Sequence, residues 1–270
     1  MYNSHTHTKN SHDANAEIDA LCREAIKNSL TGFAITDHCD ISYLNEPWVM
    51  QGIYGSVKDS LWAKEHYENK IFIGMGIEIG ETIFNPEAAD KIIRGNCWDV
   101  VLSSVHLVSN MTWEVPFSQI DFSKAENALI DKFLTQYFID MFNMIEVTDF
   151  DILSHLTVPL RYIVKKYKRE INIRKYYPQI EDILRKIIKR DISLEINTSG
   201  FINGENYFMP DETIIDIYKS CGGKKVSLGS DSHTVSALTS GLEQAAAMLK
   251  SKGFYTATYY KARKPIEFNL

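Results

Sequence analysis

Histidines whose spacing could bind metal ions are spread along the whole chain. His5 and His7 form an HxH pair near its start. Side chains alternate between the two faces of an extended segment, so these imidazoles point the same way and can chelate one ion. Four further histidines lie at or just beyond the ends of short apolar runs: His38, His106, His155 and His233.

Carboxylates occupy similar positions. Glu78 ends the run IFIGMGI, Glu195 lies in ISLEI, Asp231 lies in GSDSH, and Asp37 precedes His38. A mixture of imidazoles and carboxylates without thiolates suits zinc, manganese or iron, and the sequence does not choose among them. We therefore expect one centre that holds several divalent ions.

The elements that must position these residues alternate between apolar runs and amphipathic segments, which is typical of a parallel sheet or barrel. Strands are predicted over 33–36, 71–77, 100–105, 192–196 and 226–228, and helices over 16–28, 123–144 and 177–189. Residues 253–268 are expected to form a last strand or a helix. Gly52 indicates a turn. Asp13 or Asn15 is expected to cap the first helix, and Ser123 with Glu126 matches a capping box.

In a βα barrel every strand points its carboxyl end at one face, so side chains that are far apart in sequence meet there. Each ligand alone is a weak signal, because an isolated HxH pair is more often a surface or core feature. If these residues had only structural roles, their positions at six strand ends would be six independent coincidences. His12 and His66 are not expected to be ligands, and Cys39 is expected to be an inert buried thiol.

Composition narrows the class of protein. A chain of 270 residues with 44% hydrophobic content can form one domain over residues 1–270. The net charge of −6 argues against nucleic-acid binding, and the basic runs 165–169 and 185–190 are expected to be solvated helix faces. The four cysteines form no CxxC pair, there is no apolar run of membrane-spanning length, and no export signal opens the chain. We expect a cytoplasmic protein.

Seven motifs carry a family resemblance: HTHTKNSHD (5–13), ITDHCD (35–40), GIEIG (76–80), SVHL (104–107), SHL (154–156), EINTSG (195–200) and GSDSH (229–233). Their order and spacing resemble those of the PHP (polymerase and histidinol phosphatase) superfamily, and within it the histidinol-phosphatase-like members. The resemblance covers nearly the whole chain. It implies an α/β fold, a distorted (β/α)7 TIM-like barrel, with three divalent ions (Zn, Fe or Mn) at its carboxyl face.

The resemblance also implies the ligands of each ion. The first ion would be held by His5, His7, Glu78 and Asp231. Glu78 would bridge to a second ion held by His106 and His155, and a third would be held by Asp13, His38 and His233. Aspartate at position 13 is similar to the histidinol phosphatase branch. Members of that branch often carry a basic residue where this chain has Phe201, Ile202 and Asn203, which leaves Arg161 as the expected phosphate contact.

The implied activity is hydrolysis of a phosphate monoester by attack of a metal-bridging hydroxide. The first candidate substrate is L-histidinol phosphate, an intermediate of histidine biosynthesis. Asp231 or His233 is expected to protonate the leaving oxygen, and Glu195 or Asn197 to face the polar end of a small phosphorylated metabolite. Asp37 is expected to orient a ligand. Two alternatives stay open: a phosphoesterase acting on phosphotyrosine protein, a nucleotide or a nucleic-acid end, and a metal-storage or regulatory protein without turnover. The oligomeric state is not predicted.

Overall fold

The computed structural model describes residues 1–202 and 204–270. Its strands are β1 Tyr2–Asn3, β2 Gly32–Ile35, β3 His38–Asp40, β4 Phe72–Gly80, β5 Val100–Ser104, β6 Ile152–Leu153, β7 Ser193–Asn197, β8 Val226–Gly229, β9 Thr256–Lys261 and β10 Lys264–Asn269. Its helices are α1 Ile18–Lys27, α2 Pro47–His66, α3 Pro86–Arg94, α4 Asn127–Val147, α5 Tyr177–Lys189, α6 Glu212–Ser220 and α7 Leu242–Ser251.

The first eight strands form one parallel sheet in the order β1-β2-β4-β5-β6-β7-β8. β2 and β3 both pair with β4, one after the other along its length, so they share one position in the sheet. The sheet closes on itself because the Ser4 amide donates to the Leu228 carbonyl at 2.7 Å and the His7 amide donates to the Ser232 carbonyl at 2.9 Å. Seven strand positions in a closed parallel sheet confirm the predicted (β/α)7 barrel.

Apolar side chains pack in two places. A small cluster fills the amino-terminal half of the barrel interior, and a much larger layer lies between the sheet and the surrounding helices. The interior cluster consists of Tyr2, Ala34, Val100, Leu102, Ile152 and Tyr260. The carboxyl-terminal half of the interior is therefore left for polar side chains.

The C-terminal segment is neither a single strand nor a helix. β9 and β10 form an antiparallel hairpin that covers the amino end of the barrel. Tyr260 enters the interior cluster, and its hydroxyl lies 2.8 Å from Ser193 Oγ and donates to the Asp151 carbonyl at 3.0 Å. The Ala262 amide donates to Asp99 Oδ1 at 2.9 Å. The hairpin thus closes the barrel end opposite to the predicted metal ligands.

Both predicted helix caps were wrong. α1 begins at Ile18 after Glu17, so neither Asp13 nor Asn15 caps it. α4 begins at Asn127, and Ser123 lies in a preceding 3-10 turn instead of capping the helix. The physical reason is tertiary, because Arg169 Nη1 donates to the carbonyls of Phe122 and Ala125 and holds this segment out of the helix.

Three other local expectations changed. Gly52 lies inside α2 and not in a turn, because a Cβ there would lie 2.6 Å from the Asn10 carbonyl oxygen, so the glycine allows close packing. The run 165–169 is a π-helical turn and its continuation, in which Arg169 binds backbone carbonyls instead of facing solvent. In the run 185–190, Lys186 is 9% exposed and lies over the Phe142 ring.

Among the residues that the structure describes, none of the helices combines the length and the apolar character that crossing a membrane requires.

The packing of Tyr260 predicts the contribution of the hairpin to stability. Tyr260→Ala should lower the free energy of unfolding by about 3–5 kcal/mol through the cavity it leaves, and Tyr260→Phe by about 1 kcal/mol through the lost hydrogen bonds. Urea denaturation measures both. Tyr255→Ala, at a side chain that is 74% exposed, is the control and should change little. Equal losses for Tyr255→Ala and Tyr260→Ala would contradict this role of the hairpin.

Candidate metal centre

Four donor residues meet at the carboxyl ends of β1, β4 and β8. The Nε2 atoms of His5 and His7 are 3.0 Å apart. Asp231 Oδ1 lies 3.3 Å from His7 Nε2 and 3.7 Å from His5 Nε2. Glu78 Oε2 lies 3.5 Å from His5 Nε2 and 3.7 Å from His7 Nε2. The structure therefore brings together the four residues expected around a first ion.

A second group forms around the other oxygen of Glu78. His155 Nε2 is 2.8 Å from Glu78 Oε1, and His106 Nε2 is 3.6 Å from the same oxygen. The two histidine nitrogens are 3.5 Å apart. Because the two oxygens of one carboxylate face two groups of histidines, Glu78 is placed as a bridging ligand would be.

Asp13 connects the remaining two histidines. Its Oδ1 lies 3.6 Å from His38 Nε2 and its Oδ2 lies 3.3 Å from His233 Nε2. His38 does not belong to this third group alone, since its Nδ1 lies 2.8 Å from Glu78 Oε2. The side chain of His38 therefore lies between the third group and the other two.

Divalent cations fit this arrangement. His38 Nδ1 and Glu78 Oε2 are close but poorly aligned, and within the described ranges neither has a hydrogen-bond partner although both are buried. Lone pairs that converge in a buried interior are stabilised by a cation or a proton between them. The surrounding donors are imidazole nitrogens and carboxylate oxygens, which suit zinc and similar ions.

Opposite charges within the protein compensate each other, because each buried carboxylate faces several histidines. Burial by itself would raise the pKa of Glu78, but His5 and His106 hold that pKa well below its ordinary value. Burial would lower the pKa of His5, but Glu195 and Glu78 raise it well above 6.5. For His7, burial together with His38 lowers the pKa well below 6.5. The raised pKa of His5 favours its charged form, so positive charge faces Glu78 and Glu195 in the protein alone.

Two buried carboxylates contact the predicted metal-binding histidines from behind. Asp37 Oδ1 accepts from Ser11 Oγ at 2.8 Å, and this hydroxyl lies 3.0 Å from His7 Nδ1. Asp37 therefore lies behind His7, linked to it through Ser11, where a residue that orients the His7 ring would lie. Glu195 Oε1 accepts from His5 Nδ1 at 2.7 Å, and its Oε2 accepts from the His155 amide at 2.6 Å.

The expectation that Glu195 or Asn197 faces the substrate is corrected. Both are fully buried, and the Glu195 oxygens are occupied by the His5 ring, the His155 amide and the Asn197 side chain. Asn197 Nδ2 donates to Asp231 Oδ2 at 3.4 Å, and its Oδ1 accepts from Ser199 Oγ at 2.5 Å. Their strand, β7, points them at the ligands behind the centre instead of at the cleft.

Arg161 does face the cleft. It begins the π-helical turn Arg161–Lys166, its Nη2 lies 3.6 Å from Asp231 Oδ2, and the same group donates to Ser199 Oγ. It lines two adjoining cavities of about 470 and 120 Å³, as do Asp231 and His233. In the segment 201–203, Ile202 lines the larger cavity, Phe201 packs against Phe208, and Asn203 lies outside the described residues.

Three residues that were not expected to bind metal lie outside the donor groups of the described chain. His12 is exposed, with its ring 5.6 Å from that of His38. His66 ends α2 and stacks on Trp62. Cys39 is buried, and burial raises the pKa of its thiol far above the ordinary value.

Sequence reasoning missed two carboxylates, Asp40 and Glu81, which form a buried group with His106. A signal for Asp40 was present, because His38 and Asp40 repeat the period-2 spacing of the HxH pair. Glu81 carried no comparable signal. It leaves β4 with a left-handed φ of 48°, which turns its side chain toward the end of β5.

The chain is similar to a protein family, to curated proteins and to a solved structure. Residues 3–199 match the PHP domain family. A probable histidinol-phosphatase of Thermotoga maritima is 28% identical over 260 residues, covering 94% of this chain and 93% of that protein. One of Clostridium acetobutylicum is 28% identical over 238 residues, 86% of each chain. A crystal structure of histidinol phosphate phosphatase from Lactococcus lactis, complexed with zinc, L-histidinol and phosphate, superposes with a TM-score of 0.80 at 20% identity over 98% of both chains, which shows the same fold.

The raised pKa of His106 predicts that the stability of the metal-free protein depends on pH. Burial lowers the pKa of His106, but Asp40 and Glu78 outweigh it and raise that pKa to about 9. Because its pKa is raised, protonated His106 stabilises the fold. This contribution is fully present below pH 6.5 and is lost as the pH rises toward 9. The difference in urea midpoint between wild type and His106→Gln should therefore shrink across this window. A difference that is constant with pH would show that His106 does not titrate there.

Proposed function

This chain belongs to the PHP domain family, and we propose that it is a metal-dependent phosphomonoesterase that hydrolyses L-histidinol phosphate to L-histidinol and phosphate, a step of histidine biosynthesis. The observation that carries the proposal is the set of donor groups around Glu78, beside a cleft that contains Arg161. The names of the relatives supply the substrate.

Each donor group would hold one divalent ion, three in all. The first is assigned to His5, His7, Glu78 and Asp231, the second to Glu78, His106 and His155, and the third to Asp13, His38 and His233. Zinc comes first because the Lactococcus lactis structure contains it, and iron or manganese would suit the same donors.

The ions, when bound, would supply Lewis-acid activation of water and neutralise charge on the phosphoryl group. The protein itself supplies position and charge. Arg161 can bind a phosphoryl oxygen through its guanidinium, and Asn197 and Ser199 fix the Asp231 carboxylate beside it. Asp231 or His233, which line both cavities, would deliver a proton to the leaving oxygen as the P–O bond breaks.

The larger cavity can receive the organic part of the substrate. At about 470 Å³ it has the size of a small-molecule site. Tyr162 and Tyr207 line it, with Arg161 and Asp231 at the metal side. We also assign the chain to one domain over residues 1–270, because the hairpin of β9 and β10 closes the same barrel that β1 opens. A cytoplasmic location agrees with its four free cysteines.

The proposal is tested by the rate of phosphate release from L-histidinol phosphate, an aryl phosphate, a phosphotyrosine peptide and single-stranded DNA. The same rates are measured after the metal is removed with a chelator, and again after zinc, iron or manganese is added back. We expect a large preference in kcat/KM for L-histidinol phosphate and loss of activity on stripping. No release from L-histidinol phosphate with any metal would overturn the substrate assignment, and stoichiometric metal binding without release from any ester would indicate a storage or regulatory protein.

Removal of the Arg161 cation should reduce turnover without removing metal. Arg161→Met is expected to lower kcat/KM about 10²- to 10³-fold, as for other lost preorganised donors, with the bound metal per chain unchanged. Arg174→Met, at an exposed arginine that lines neither cavity, is the control. Wild-type kcat/KM in Arg161→Met would exclude a phosphate contact.

The proton donor is identified by leaving-group dependence. Of His233→Asn and Asp231→Asn, the variant that removes the proton donor should lose more rate with poor leaving groups than with good ones, because a good leaving group departs without a proton. The measurement is kcat/KM for a series of aryl and alkyl phosphates. A residue whose loss slows all esters equally is not the general acid.

A further inference from the structure

The pair formed by Asp40 and His106 reaches across a strand. Asp40 ends β3 and His106 follows β5, and β4 lies between these two strands. His106 Nδ1 lies 3.0 Å from Asp40 Oδ1. The contact passes over Gly80 of β4, which pairs with Asp40 on one side and Ser104 on the other.

Gly80 makes this contact possible. A Cβ at position 80 would collide with Asp40 Oδ1 and would lie 3.5 Å from His106 Nδ1. Gly80 is in extended strand, a conformation open to any residue, so the position requires space and not conformational freedom. The absence of a side chain at Gly80 is therefore what seats the Asp40 carboxylate beside His106.

Glu81 fixes the backbone on both sides of the pair. Its Oε1 accepts from the amides of His106 and Leu107, the latter at 3.0 Å. Its Oε2 accepts from Ser42 Oγ at 3.0 Å, and Ser42 follows Asp40 by two residues. Both elements that carry the pair are thus tied to the same carboxylate.

We propose that Asp40 is a positioning residue for the metal group of His106, His155 and Glu78. Asp40 Oδ1 accepts a hydrogen bond from Nδ1–H of His106. The lone pair of Nε2 is then directed at that group, 3.6 Å from Glu78 Oε1 and 3.5 Å from His155 Nε2. A carboxylate behind a ligating imidazole fixes its tautomer and increases its basicity. This inference rests on the metal centre of the proposed function.

The second histidine of the group cannot replace this restraint. His155 Nδ1 is buried and has no hydrogen-bond partner in the described part of the chain, so its ring is held only through Nε2 and the backbone. Asp40 therefore provides the one side-chain restraint seen behind the two imidazoles of this group, within residues 1–202 and 204–270. Loss of Asp40 should weaken this group selectively.

The test compares zinc content and zinc affinity, measured by chelator competition, in wild type, Asp40→Ala, Asp40→Asn and Gly80→Ala. Asp40→Ala and Gly80→Ala should bind one of the zinc ions roughly 10- to 100-fold more weakly, as is typical when the partner of a ligating histidine is lost. Asp40→Asn should retain part of the affinity, because its amide oxygen can still accept from Nδ1.

Asp140→Ala is the matched control. Asp140 is also a buried carboxylate that binds the loop after β5, through the Ser109 amide at 2.7 Å, but it touches no metal ligand. It should keep wild-type zinc affinity, and circular dichroism checks the fold of every variant. Nitrogen-15 spectra of the zinc-loaded protein should show the His106 proton on Nδ1 in wild type and altered in Asp40→Ala.

Unchanged zinc affinity in both Asp40→Ala and Gly80→Ala would overturn this inference, and so would an equal loss in Asp140→Ala. A wild-type protein that binds no divalent ion would instead overturn the proposed function. The two failures are therefore distinguishable in one experiment, without measuring activity.

Discussion

The buried carboxylate of Glu78 is the constraint on which the rest of the site depends. It lies in the barrel interior with no exposed surface, where an ionised carboxylate is costly unless positive charge faces it. Histidines from several strands supply that charge in the protein alone, and metal ions would supply it in the enzyme. Convergence of the site is therefore an electrostatic requirement as well as a result of the barrel.

The barrel has room for Glu78 because the nearest residues on the same face of β4 are glycines. On the inner face of β4 the neighbours of Glu78 are Gly74, Gly76 and Gly80. A Cβ at Gly74 would lie 2.6 Å from the Tyr2 hydroxyl, and one at Gly76 would lie 2.6 Å from Val100 Cγ1. Side chains from the other strands already fill this space, so from Gly74 to Gly80 the inner face of β4 carries one side chain, that of Glu78.

Stability and chemistry occupy opposite ends of the same barrel. Tyr260 and the C-terminal hairpin pack an apolar plug at the amino end, while the carboxyl end holds the histidines and carboxylates. At the carboxyl end Asp231 has a left-handed φ of 51°, a conformation that aspartate tolerates better than most residues. Left-handed residues also occur at the amino end, at Ala262 and Arg263 in the turn between β9 and β10.

Sequence alone determined the residue types of the site and their convergence. The HxH spacing and the apolar runs that precede His106 and His155 are periodic, local signals, and parallel strands bring their carboxyl ends together whatever the loops do. Only the tertiary structure decided the direction of each side chain. Glu195 and Asn197 face the ligands and not the cleft, Asp40 reaches His106 across Gly80, and the C-terminal residues form a hairpin. These outcomes depend on which strands are neighbours and on how far they are offset, which no local pattern in the chain records.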